Sequence, residues 1–193
     1  MKKIIYSLAL VLSLCACGKK ASQPEAQDEM IDDEKILVAY FSATGNTARV
    51  AKMMAASIAA DLLEIVPAEP YSEADLDWRD KNSRSSIEMN DTTARPALGF
   101  EMPDLSEYKL IYLGYPIWWG VAPRIINTFI EAANLNENIQ ILPFATSGGS
   151  PVEPSQQALK ASYPNLRWED GILLNNIDDY GYLIPEELDS VTE

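Results

Sequence analysis

Apolar residues come in short blocks along this chain, and polar stretches separate the blocks at regular intervals. Residues 36–41 (ILVAYF) are apolar without a break, as expected of a strand buried on both faces of a parallel sheet. From Asn46 to Ala60 the apolar positions Val50, Met54 and Ile58 fall four apart with alanines between them, which predicts a helix lying against that strand. Asp61 to Val66 (DLLEIV) predicts a second strand, closed by Pro67. Residues 68–107 break the rhythm. They hold Pro70, Pro96 and Pro103 and the polar run RDKNSRSS, and they predict an excursion with one short helix near Ala74–Asn82. The pattern resumes with a third strand, Tyr108 to Gly114, and a helix from Pro123 to Ala133 that sets Ile126, Phe129 and Ile130 on one face. Proline in a first turn is favourable there. A fourth strand over Asn138 to Phe144, a helix over roughly Ser155 to Ser162 and a fifth strand around Trp168 to Leu174 follow. Such alternation predicts an open, doubly wound α/β fold: five parallel strands with helices on both faces. The final stretch, NNIDDYGYLIPEELDSVTE, has no amphipathic run long enough to close the sheet, so the C-terminal helix is expected to be short or missing.

The N-terminus follows a different pattern. Lys2 and Lys3 precede an apolar run from Ile4 to about Cys15, well short of the ~20 residues that span a bilayer. A basic start, a short apolar stretch and small residues read as a secretory signal. Leu14-Cys15-Ala16-Cys17 resembles the lipobox of bacterial lipoproteins, which implies cleavage after Ala16 and lipid on the Cys17 sulfur. An ordinary signal with an incidental cysteine is the alternative. Residues 18–34 (GKKASQPEAQDEMIDDE) lack periodic apolar positions and read as a flexible tether. The expected organisation is a signal over 1–16, a tether over 17–34 and one domain over 35–193, in an extracytoplasmic lipoprotein anchored to a membrane.

With Cys17 as the one cysteine left after cleavage, no internal disulfide forms, and the domain must be held by its core. The formal net charge is −14; removing residues 1–16 takes away two lysines and no acid, giving −16. Such a surface repels nucleic acid and anionic headgroups, so membrane attachment would rest on the lipid, and a protein partner would need a basic docking face.

Three loops leave the carboxyl ends of the predicted strands, where this class of sheet binds ligands. The first, SATGNT, is neither a P-loop, which needs GxxxxGK[ST], nor a dinucleotide fingerprint, which needs three glycines. It offers Ser42, Thr44 and Thr47 hydroxyls, the Asn46 amide, and N–H groups after Gly45. With no lysine in reach, these neutral donors suit a terminal phosphate monoester at a helix N-terminus. Taken alone, the same residues also describe an N-cap. The second loop sets Trp118 beside Trp119, and adjacent indoles point different ways, so one should project into the rim. The third, Thr146-Ser147-Gly148-Gly149-Ser150, has two glycines where a backbone approaches something closely. Phosphate donors, a stacking aromatic and a tight polar loop on one rim describe a flavin mononucleotide (FMN) site.

The motifs that carry this reading also resemble a known family. SATGNT resembles the flavodoxin phosphate-loop signature, and GYPIWWG and TSGGSP are similar to the flavin loops of a bacterial flavodoxin-like family with lipoprotein members. The resemblance covers about residues 35–175. It implies that Ser42 through Thr47 hold the FMN phosphate. Pro116, Ile117, Trp118, Trp119 and Gly120 would cover one side of the flavin ring, and Thr146 to Ser150 would approach its polar edge. No catalytic side chain and no metal-ligand set stands out, and the chain has no histidine. The expected activity is FMN-based electron transfer with an unknown redox partner. Two alternatives stand beside it: an FMN-dependent NAD(P)H:quinone-type reductase, and a flavin-free binding lipoprotein of the same fold. A receiver domain is excluded, because strand three ends in Gly114-Tyr115 where an aspartate would be needed.

Overall fold

The computed structural model describes residues 35–175. Its elements are β1 (Lys35–Tyr40), α1 (Asn46–Ser57), β2 (Asp61–Glu64), α2 (Arg84–Asn90), β3 (Tyr108–Pro116), α3 (Arg124–Ala133), β4 (Gln140–Thr146), α4 (Glu153–Ser162), β5 (Arg167–Trp168) and β6 (Ile172–Leu173). Every pairing is parallel, in the order β2-β1-β3-β4, with β5 and β6 both beside β4. The predicted doubly wound sheet is the architecture found. The signal, the tether, Cys17 and the C-terminal helix question lie outside the described residues.

Alternation along β1 divides the core. Leu37, Ala39 and Phe41 face one layer with Ile111, Leu113 and the α3 residues Ile125, Ile126, Phe129 and Ile130. Val38 and Tyr40 face the other layer, against Val50, Ala51, Met54 and Ala55 of α1. Helices thus cover both faces, which explains the unbroken apolar runs at residues 36–41 in and just after β1 and at residues 110–113 in β3. Gly114 marks the closest approach within the sheet: a Cβ there would lie 2.1 Å from Cζ of Phe144.

Three expectations are corrected. The helix of the excursion is not at Ala74–Asn82 but at Arg84–Asn90. Asp77 and Asp80 accept hydrogen bonds from the N–H groups of Arg79 and Asn82, local turns that compete with helix. Ser83 then caps the real start by accepting from Ser86 N–H. The fifth strand is also not continuous. The Gln156 side chain of α4 donates to Glu169 O at 2.8 Å and accepts from Gly171 N–H at 2.9 Å. Backbone groups that would have joined the ladder are satisfied by a side-chain amide, so two short strands replace one. Helix α3 begins one residue late, with Pro123 as its N-cap.

Candidate functional site

The chain turns to opposite sides after β1 and β3, and the crevice between their carboxyl ends is the switch point where such sheets bind ligands. Three cross-links hold the loops together there. Ile117 N–H donates to Thr146 O at 2.9 Å, Thr47 Oγ1 and Thr146 Oγ1 lie 2.8 Å apart, and Phe41 N–H donates to Gly114 O at 2.9 Å. Thr47 is therefore buried and bonded to the third loop. It fixes the rim.

The first loop leaves the start of α1 without a side-chain cap. Gly45 caps α1 with a left-handed backbone (φ 87°), and no side chain satisfies the first-turn N–H groups. Ser42 Oγ accepts from Gly45 N–H at 3.1 Å, and Asn46 Nδ2 donates to Thr44 Oγ1 at 3.3 Å, which preorganises the loop. Next to it lies a cavity of about 410 Å³ whose lining includes Thr44, Asn46, Arg49, Thr146, Ser147 and Asn175. Arg49 corrects the sequence reading, which relied on neutral donors alone. Its spacing of three from Asn46 puts it on the same helix face. Arg49 Nη2 donates to Asn175 O at 3.3 Å, and Asn175 Oδ1 accepts from Ser147 N–H at 2.9 Å, so the chain after β6 closes one side of this cavity.

In the third loop, Ser147 Oγ accepts from the N–H groups of Gly149 (3.1 Å) and Ser150 (2.7 Å). Those two donors are spent on the turn. Gly148, by contrast, lines the cavity and has open space where a Cβ would stand.

The two indoles divide as adjacent residues must. Trp118 is half-buried, edge-on to Phe41 (5.6 Å, 85°) and to Tyr71 (5.4 Å, 84°). Tyr71 is braced in turn: its hydroxyl donates to Glu88, and the Arg84 guanidinium sits 4.1 Å over its ring. Burial, with the Glu88 carboxylate, pushes the Tyr71 phenol well above its ordinary pKa. Trp119 stays 50% exposed. It and Gly120 form a two-residue turn closed by Trp118 N–H to Val121 O (2.9 Å) and the reverse bond (3.0 Å). Both central residues have positive φ, 49° and 81°, the pattern of a type I′ turn. Glycine accepts that backbone freely; tryptophan does so at a cost. Trp119→Asn, which places the favoured residue there, is expected to stabilise the fold by up to about 1 kcal/mol. Urea unfolding checks this, and a loss of stability would show that the indole is held for packing.

Pro116, Ile117 and Trp118 form a ridge between this cavity and a second one, of about 370 Å³, that Trp119 also lines. Sequence reasoning missed Leu76, Trp78 and Ser85 on its far wall. They come from the excursion, and nothing in their spacing ties them to the rim. The side chains and backbone of Ser42, Gly45, Thr47, Gly120, Gly149 and Ser150 lie outside the lining of either cavity. Among the described residues, no cluster of His, Cys, Asp and Glu could hold a metal ion.

Residues 35–182 match the family model described as flavodoxin. A candidate flavoprotein of Bacteroides uniformis superposes with a TM-score of 0.72 at 52% sequence identity, over 74% of this chain and 90% of that one. One from Bacteroides eggerthii gives 0.73 at 52% identity, over 76% and 92%. A flavoprotein of Lactobacillus acidophilus, solved in complex with FMN, gives 0.61 at 23% identity, over 72% and 93%; at that identity the likeness is one of fold. No curated protein matches the chain.

Proposed function

The chain belongs to the flavodoxin family, and from that membership we propose that its rim binds FMN and that the flavin makes it an electron-transfer protein. The observation that carries the proposal is a helix N-terminus without a side-chain cap, with Asn46, Thr44 and Arg49 beside it, facing a cavity bounded by an aromatic ridge. This donor set fits a phosphate monoester: short neutral donors, first-turn N–H groups and one guanidinium. Thr44, Asn46 and Arg49 would hold the phosphate. The ridge and Trp118 would meet the ring, and the Ser147–Gly148 backbone would face its polar edge. When bound, FMN supplies reversible electron uptake. The protein's part is to bind and orient it and to set the surrounding field. Burial pushes the Tyr115 phenol up to about 12, so it stays protonated at neutral pH. A flavoprotein of the same fold that carries FMN supports the cofactor.

The carrier role is supported by charge. A net −14, or −16 without residues 1–16, attracts a basic partner and repels the anionic NADPH. Electron transfer from the reduced, FMN-loaded chain to a cationic cytochrome is expected to slow at least tenfold between about 10 and 500 mM salt. Rapid steady-state oxidation of NADPH, with no such salt dependence, would favour a reductase instead. The Leu14–Cys17 box supports a second proposal, that lipid on Cys17 anchors the chain outside the cytoplasm. Cys17→Ser is expected to leave soluble or unprocessed protein. Unchanged membrane partitioning and unchanged mobility would refute the anchor.

A further inference from the structure

The second cavity differs in chemistry from the phosphate-facing one. None of its lining residues carries an ionisable side chain, whereas the first cavity has Arg49. Three indoles, those of Trp78, Trp118 and Trp119, and the Leu76 side chain provide flat apolar surface. Trp78 is 68% exposed, although a Trp on a polar excursion would bury itself if packing were its role. One polar group is left over: Ser85 is 1% exposed, it lines this cavity, and its Oγ is buried without a hydrogen-bond partner. A buried hydroxyl with no partner is costly, and a ligand acceptor would satisfy it. The volume, about 370 Å³, lies near the lower end of ligand pockets, roughly 300–1,000 Å³, which suits a small molecule.

We propose that this cleft is a separate binding site for a small, uncharged, planar aromatic molecule bearing a carbonyl, as quinones do. The rings of Trp78 and Trp119 supply aromatic contact, and Ser85 donates to the carbonyl oxygen. Trp119 then has a reason to hold its left-handed backbone: the turn carries the indole out beside the cleft instead of into the core. The inference goes beyond the flavin reading: Thr44 and the ridge are common to both cavities, but Leu76, Trp78, Ser85 and Trp119 line this cleft alone, and its occupation requires no bound FMN.

The test uses the full chain, with and without FMN, titrated with 1,4-naphthoquinone and followed by tryptophan fluorescence. Binding is expected in both forms. Trp78→Ala and Ser85→Ala should each weaken it about tenfold, while their FMN affinity changes less than about twofold. Competition between FMN and the quinone, or a parallel loss of FMN affinity in the variants, would overturn the proposal by making the cleft part of the flavin seat. Quinone affinity unchanged by either substitution would also overturn it. If the wild-type chain takes up the quinone but no FMN, the flavin reading fails and this one stands.

Discussion

Replacing Asn46 by Leu, or Arg49 by Met, is expected to raise the dissociation constant for FMN about tenfold to a hundredfold while leaving riboflavin affinity within about twofold. Each change removes a hydrogen bond to a doubly charged phosphate, worth roughly 1.5–3 kcal/mol. Both residues line the cavity at the start of α1, and both side chains are exposed at the rim, so neither truncation opens a hole in the core. The contrast between ligands gives the experiment its force. Riboflavin has the same ring and lacks only the phosphate, so a general loosening of the rim would weaken both. Equal losses for FMN and riboflavin would mean that this helix N-terminus does not hold the phosphate. The Arg49 variant carries a second signature. Guanidinium attraction is partly screened by salt, so the gap between Arg49→Met and wild type should narrow as ionic strength rises. The Asn46 gap should not.

Gly114→Ala is expected to cost the fold about 3 kcal/mol, a large penalty for one methyl group. Gly114 sits in β3 between Tyr40 of β1 and Phe144 of β4, and the added Cβ would lie 2.1 Å from Cζ and 2.6 Å from both Cε atoms of Phe144. The Phe144 ring is fully buried, packed with Tyr40, Tyr112 and Leu174, so it cannot swing aside. At roughly 2–4 °C per kcal/mol for a domain of this size, Tm should fall by about 10 °C. Phe144→Leu shortens the side chain where the clash occurs. The double variant should therefore be more stable than the sum of the single effects by about 1–2 kcal/mol. Strict additivity would mean that Gly114 is not held by the ring above it.

Strong periodicity carried the sequence reading where burial was two-sided. Residues 36–41 and 110–113 are apolar without a break because helices cover both faces of the central strands, which marks a parallel sheet. α1 and α3 were legible because a single face of each is buried. The loops were legible because strand ends in this topology meet on one rim. What was not legible depended on side chains acting at a distance. The RSSIEMN helix holds only Ile87 and Met89 as large apolar residues, and Ile87 is 56% exposed, so its periodic signal is nearly absent. The break in the fifth strand is made by Gln156, which a strand pattern cannot reveal. Arg49 lay in plain sight on a helix read only for its buried face. Trp78 and Ser85 belong to a stretch whose path across the rim is set by local turns and by the braced Tyr71–Glu88–Arg84 cluster. Thr47 was read as a phosphate donor, and in the structure its hydroxyl bonds to that of Thr146, tying α1 to β4. That tie was not legible because a buried hydroxyl and a ligand-facing one are identical in sequence.

The central claim is that this rim is shaped for the phosphate of a flavin mononucleotide, and titrating flavin-free full-length chain with FMN and with riboflavin tests it most directly. Two or more charge-assisted hydrogen bonds, each about 1.5–3 kcal/mol, should make FMN bind at least a hundredfold more tightly than riboflavin. Equal affinity for the two flavins, or no binding of FMN, would contradict the account.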